Sequence, residues 1–204
     1  MHPPLITLHN LDCLPAMREM VDNQFDLAIV DPPYRDSNQP TQDMKRSGSM
    51  KSLSGRPEPE YFEQLFRVAK ECIIWGANNF QLPQWKGFVV WRKILIPEKF
   101  TMSMCEIASI SEGLGTIAKH VEISPKGQFR IHPTQKPVAL YKWLLRNYAT
   151  EGDTILDTHL GSGSIAIACH DYGFNLTGFE LDPDYYAAAV KRLDDHRSQM
   201  ELGL

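Results

Sequence analysis

Thr154-Ile155-Leu156-Asp157-Thr158-His159-Leu160-Gly161-Ser162-Gly163-Ser164 is the stretch on which the fold turns. Thr154–Asp157 reads as a strand. Gly161 and Gly163 then allow a sharp turn and a close backbone approach to a ligand. Residues 165–172 read as a helix closed by Gly173, and Asn175–Phe179 as a second strand ending in Glu180. An acid at that strand end can hold ribose hydroxyls. Glu180 lies 17 residues after Gly163, close to the spacing of about 20 seen in nucleotide-binding units. By itself the unit does not separate a nicotinamide, flavin or S-adenosylmethionine (SAM) site. It lacks the full G-x-G-x-x-G pattern that seats a pyrophosphate on a helix N-terminus, so a nucleoside without phosphates fits better.

Working outward, strands and helices alternate. Asp182–His196 reads as a helix with Asp182 as N-cap and Pro183 at its first position. Lys136–Tyr148 reads as another, beginning beside Pro137. Toward the N-terminus, Leu5–His9 is a short strand, Leu11–Val21 a helix and Phe25–Val30 a buried strand. Glu58–Glu71 is helical by its apolar spacing, Cys72–Trp75 and Phe88–Trp91 are strands, and Met104–Ile110 is a further candidate. Residues 111–131 show no clear period. The alternation predicts one α/β domain over residues 1–204, with a mostly parallel, doubly wound sheet. Residues 35–57, poor in apolar side chains, predict a long mobile basic loop.

The strand Phe25–Val30 runs into Asp31-Pro32-Pro33-Tyr34. A carboxylate, two prolines and an aromatic therefore stand at a strand's carboxyl end, where open α/β sheets bind ligands. The set suits an exocyclic amine on a flat base. Asp31 and a proline carbonyl can accept hydrogen bonds from the NH₂, and Tyr34 can stack on an extruded base. The same four residues would also serve as a plain strand-ending turn.

The net charge of −4 is unevenly spread. Residues 35–56 and 119–142 hold 10 of the 21 Lys and Arg but only 3 of the 25 acids. A basic face on an acidic body predicts a phosphate footprint, with Lys45, Arg46, Lys51, Arg56, Lys119, Lys126 and Arg130 as candidate nucleic-acid contacts. Cys13, Cys72, Cys105 and Cys169 form no C-x-x-C pair. They are expected to be four buried free thiols in a reducing compartment, with no metal site. No apolar run approaches the roughly 18 residues of a membrane span, and Met1-His2-Pro3-Pro4 does not open a signal peptide. A cytoplasmic protein is expected.

Taken together, Asp31-Pro32-Pro33-Tyr34, the later Asp157-Thr158-His159-Leu160-Gly161-Ser162-Gly163 and the intervening His132-Pro133-Thr134-Gln135-Lys136-Pro137 resemble the SAM-dependent DNA amino-methyltransferases. The motif order looks like that family's β group, whose Rossmann-like fold is circularly permuted. The resemblance implies a catalytic D-P-P-Y at Asp31, Pro32, Pro33 and Tyr34. It implies cofactor contacts from Asp12, Cys13, Asp31, His132, Thr134, Gln135, Lys136, Asp157, His159, Leu160, Gly161, Ser162, Gly163, Ser164, Glu180 and Leu181. Asp12 serves equally as a helix N-cap. Trp91-Arg92-Lys93 followed by Glu106 is similar to a family core segment written W-D-K and an acid. Thr158 and His159 depart from the family's Pro-Phe, and residues 111–131 are a short candidate target-recognition segment. The implied function is methylation of adenine N6 in double-stranded DNA with base flipping, in a restriction-modification or related setting, by a possible homodimer. Cytosine-N4 methylation, RNA adenine methylation and a catalytically silent SAM- or DNA-binding protein are the alternatives. A dinucleotide oxidoreductase rests on the glycine turn alone.

Overall fold

The computed structural model describes residues 3–35, 37–38, 53–95, 103–125 and 129–201. An eight-stranded sheet carries the fold. Its strands are β1 (Ile6–His9), β2 (Phe25–Val30), β5 (Ala69–Trp75), β6 (Gly87–Lys93), β7 (Cys105–Ile110), β8 (Lys119–Ile123), β9 (Thr154–Asp157) and β10 (Asn175–Phe179). The spatial order is β1-β10-β9-β2-β5-β7-β6-β8. Only β7 runs against its neighbours. β3 (Ser37–Asn38) and β4 (Leu53–Ser54) form a separate antiparallel pair at the base of the expected 35–57 loop; residues 36 and 39–52, with Lys45, Arg46 and Lys51, lie outside the described residues, as does Lys126.

Helices lie on both faces of the sheet. α1 (Cys13–Glu19) and α2 (Pro59–Val68) pack on one side; α3 (Val138–Tyr148), α4 (Ser164–Tyr172) and α5 (Pro183–Glu201) pack on the other. β2 shows why its sequence is apolar throughout. Leu27 and Ile29 enter the α3–α5 layer while Ala28 and Val30 enter the α1–α2 layer, as expected of a parallel strand buried on both faces.

The site's position follows from the connections. β9 crosses through α4 to β10 on one side; β2, its neighbour, crosses through α2 to β5 on the other. The β9/β2 junction is thus the topological switch point, and ligands of open α/β sheets bind at the carboxyl ends of such strands. Asp157 and Asp31 stand there, far apart in sequence.

Several boundaries differ from the expectations. The 58–71 helix stops at Val68, because Ala69 turns extended and pairs with Phe25 of β2. The α1 helix spans only Cys13–Glu19, and Val21 is exposed. Pro137 caps α3 from outside. Residues 111–131 contain a strand, β8, which pairs with β6 at the sheet's edge. Cys105 is exposed while the other three thiols are buried, because it lies on the uncovered face of β7 opposite Arg92.

Candidate active site

Residues from both halves of the chain line a cavity of about 590 Å³ at the switch point, within the range of small-ligand sites. One end is built by the glycine loop. Gly161 has φ +52°, and its N–H donates to Glu180 Oε2 at 2.8 Å; the Asp182 N–H donates to Oε1 at 2.9 Å. Glu180 is thereby held on the cavity wall. Burial raises its pKa, with those backbone bonds opposing. A Cβ at Gly161 would stand 3.4 Å from the His132 ring, so the loop is a cradle that a side chain would narrow. Asn10 Nδ2 donates to the carbonyls of Glu180 and Leu181 at 2.8 and 3.2 Å. This joins β1 to the acid's loop and brings Asp12 and Cys13 to the same wall. Asp12 also caps α1 through the Leu14 N–H at 2.9 Å. Burial pushes the Cys13 thiol up to about 12, so it is no nucleophile.

His132, Thr134, Gln135, Lys136, His159, Leu160, Ser162 and Leu181 also line the cavity. His132 packs edge-on against Tyr185 at 4.4 Å, and burial, then Lys136, lower its pKa to about 4. Burial likewise lowers His159 to about 4; its Nδ1 lies 2.9 Å from Thr158 Oγ1. Both imidazoles are neutral at pH 7. The Gln135 amide is spent on the backbone of Ile131 and Phe129. Asp157, Gly163 and Ser164 are not on the wall. Asp157 accepts the His159 N–H at 3.0 Å from beneath, Gly163 begins α4 at φ +68°, and Ser164 Oγ accepts from Arg192.

The other end is built by Asp31–Tyr34. The Tyr34 hydroxyl donates to Asp31 Oδ1 at 2.6 Å, and burial, with Asp31 and Glu106 beside it, raises the phenol's pKa. Lys136 Nζ pairs with Asp31 Oδ2 and lies 3.0 Å from Glu106 Oε2; Lys93 Nζ lies 2.5 Å from Glu106 Oε1. Burial works against the Lys136 charge, yet Asp31 and Glu106 raise its pKa. Burial also opposes ionisation of Glu106, but Lys136 and Lys93 bring it down to about 2.

Glu106, Tyr61, Tyr141 and Tyr185 line the cavity without having been singled out for it from the sequence. Lys93 did carry a signal: it falls on the inward phase of Gly87, Val89 and Trp91, where a charge needs a partner.

The basic candidates separate. Arg56 donates to the Asn79 carbonyl and sits 5.7 Å from the Phe80 ring centre, beside Tyr34. Arg130 donates to the Pro133 carbonyl at 2.9 Å, next to the His132–Lys136 wall. Lys119 begins β8, opposite Val89, at the end of the sheet away from Asp31, and rests 4.7 Å from the Tyr148 ring centre. One His/Asp cluster exists among the described residues, His170, Asp171 and His196. Its Asp171 already bonds Lys142 and His196, both at 2.6 Å, which ties α3, α4 and α5 together.

Comparison with known proteins decides the family. The profile of the N6/N4-type family described as DNA methylase matches residues 85–191. A relative, type II methyltransferase M.HpaI of Haemophilus parainfluenzae, is 30% identical over 90% of this chain and 72% of its own.

The chain belongs to the N6/N4 DNA methylase family.

Another relative, DNA adenine methyltransferase YhdJ of Escherichia coli (strain K12), is 38% identical over 37% of this chain and 26% of its own. Among solved structures, the M1.HpyAVI–SAM complex superposes with TM-score 0.66 at 18% identity, covering 93% of this methylase and 100% of that chain. PvuII DNA methyltransferase (cytosine-N4-specific) superposes at 0.63 with 12% identity, covering 99% and 96%. At these identities the superpositions establish the shared methyltransferase fold. No described helix is long and apolar enough to cross a membrane.

Proposed function

We propose that this methylase transfers a methyl group from SAM to the N6 amino group of adenine in double-stranded DNA, with the base flipped into the Asp31–Tyr34 end of the cavity. The observation that carries the reading is the Tyr34 O–H donating to Asp31 Oδ1 at 2.6 Å. A donor already occupies the place that an amino N–H would take, on a carboxylate held at a strand end.

The residues at the other end fit SAM. Glu180, held by two backbone N–H groups, presents acceptors for ribose hydroxyls. Leu11 and Leu181, exposed at 43% and 68% beside Asp12 and Glu180, offer apolar cover to a purine. The Gly161 loop and the His132–Thr134 segment would flank the amino-acid part. When bound, SAM supplies a methyl group on a sulfonium sulfur that leaves as a thioether. Asp31 Oδ1 would accept one amino hydrogen and direct the nitrogen lone pair toward the methyl carbon, and Tyr34 would leave Asp31 to stack on the base. The surplus amino proton would depart through Asp31 to water. Such a reaction is driven mainly by positioning. Arg56 and Arg130, which flank the cavity, together with Lys45, Arg46, Lys51 and Lys126, would hold phosphates. Lys119, at the opposite end of the sheet, would stand outside that footprint.

Asp31 in the D-P-P-Y sequence and the adenine-specific name of YhdJ support adenine. The PvuII fold match keeps cytosine N4 as the second reading. Expression in methylation-free cells, followed by nucleoside mass spectrometry and modification-sensitive sequencing, tests both. N6-methyladenine at one sequence motif is expected; N4-methylcytosine alone would overturn the adenine assignment. Asp31→Ala is expected to remove the modified nucleoside while SAM binding, measured by calorimetry, stays within about threefold, because binding and methyl-transfer contacts separate along the cavity.

A further inference from the structure

Four charged side chains form a single file at the base end of the cavity: Lys93, Glu106, Lys136 and Asp31, alternating in sign. They come from β6, β7, the segment before α3 and the end of β2. Lys93 lies 5.2 Å from the ring centre of Trp91 and Lys136 lies 5.3 Å from that of Trp75. The two indoles meet edge-on at 6.3 Å and are fully buried. The side chain of Lys136 is 3% exposed. Buried charges of this kind are costly and do not by themselves argue for stability, so the arrangement calls for another use.

We propose that Lys136, held in turn by Glu106 and Lys93, is a positioning residue for Asp31. It clamps Oδ2, so that Oδ1 alone faces the cavity as the acceptor for the substrate amino group, and Tyr34 keeps that acceptor covered until a base enters. The proposal rests on the amino-methylation reading above.

The chemistry follows from charge and geometry. An ionised carboxylate only accepts hydrogen bonds; a protonated one would also present a donor to the incoming amine. Because Lys136 is shared between two carboxylates, it does not wholly neutralise Asp31. A clamp on one oxygen also fixes the carboxylate plane, which an unrestrained side chain would not. The groups facing Asp31 are Tyr34 on its own loop, Lys136 and Tyr141 from the α3 segment, Glu106 on β7 and Asp157 on β9.

The test uses the full chain with SAM and duplex DNA carrying its target motif. In Lys136→Met, kcat is expected to fall about 100-fold, as for a misplaced reacting group, with SAM affinity near wild type. KM for DNA should move far less than kcat, because the clamp orients the acceptor and does not hold the duplex. In Glu106→Gln, Lys136 keeps its pairing with Asp31 Oδ2, so kcat should fall by no more than about tenfold. A loss graded in that order, with SAM affinity held, is not expected from loss of packing. Wild-type kcat in whichever of Lys136→Met and Lys136→Gln folds would overturn the proposal. So would loss of SAM binding in step with activity in Lys136→Met, which would place Lys136 in the cofactor site instead. Absence of methyl transfer by the wild-type protein to any nucleic acid would sink the underlying reading and is distinct from both results.

Discussion

Gly76 decides where Tyr34 can lie. It adopts φ +68° at the end of β5, and a Cβ there would stand 2.1 Å from Tyr34 Cε1. The ring therefore rests on bare backbone, edge-on to Phe80 at 6.1 Å. Gly76→Ala must strain the turn and push the ring off Asp31. Steady-state kinetics should show kcat/KM for DNA reduced at least about tenfold, since base contacts realised near the transition state are lost, while calorimetry shows SAM binding unchanged. Nothing in the Trp75-Gly76-Ala77 sequence marks this glycine as more than a strand terminator. Its partner lies 42 residues earlier in the chain, and only folding brings them into contact.

At the scale of elements, Asp171 near the end of α4 holds three helices together. Its side chain is 9% exposed and bonds Lys142 of α3 and His196 of α5. Burial opposes its ionisation, but those two partners lower its pKa. Asp171→Ala leaves both partners unpaired and is expected to cost about 2 kcal/mol, below the range for a fully buried pair because the partners are partly exposed. Urea unfolding monitored by circular dichroism measures it; kcat at low temperature should not change. Element boundaries were legible where local signals acted alone. β9, β10 and the capped start of α5 lie where composition, glycine and Asp182–Pro183 place them. The end of α2 and the existence of β8 were not legible, because each is set by pairing with a strand elsewhere: Ala69 with Phe25, and Val121 with Trp91.

For the whole molecule, buried titratable groups at the cavity give stability a pH dependence of two signs. Burial raises Asp157 to about 8, the His159 N–H bond opposing and the Asp31 and Glu180 charges adding. The folded state then holds a proton that the unfolded chain releases above about 4, so this group's contribution falls as pH rises from about 4 to about 8. His132 and His159, lowered to about 4, act oppositely: the unfolded chain binds their protons more readily, so their contribution grows as pH rises from about 4 to about 6.5. Asp157→Asn keeps the acceptor for His159 and removes the carboxyl. Its stability relative to wild type should therefore rise by about 1–3 kcal/mol between pH 5 and 8 in thermal melts; a constant difference would show that Asp157 is ionised throughout.

DNA association belongs to the same scale. Neutralising Arg56 and Arg130 together should weaken binding broadly and reduce the slope of log affinity against log salt by about 2, measured by fluorescence anisotropy. Neutralising Lys119, at the far end of the sheet, should leave the slope unchanged.

The sequence alone determined the two motifs that reach the cavity, the α/β alternation and the family resemblance. Each is a local signal: a glycine turn after an apolar strand, a strand ending in Asp-Pro-Pro-Tyr, and an acid closing the next strand. Tertiary structure decided how they meet. The β9/β2 switch point joins strand ends that stand far apart in sequence, Gly76 sets the Tyr34 ring, and the Lys93–Glu106–Lys136–Asp31 file crosses four segments. Burial is the physical reason. A strand's phase shows which side chains turn inward, but a buried charge is tolerable only beside its partner, and that partner is fixed by the order of strands in the sheet.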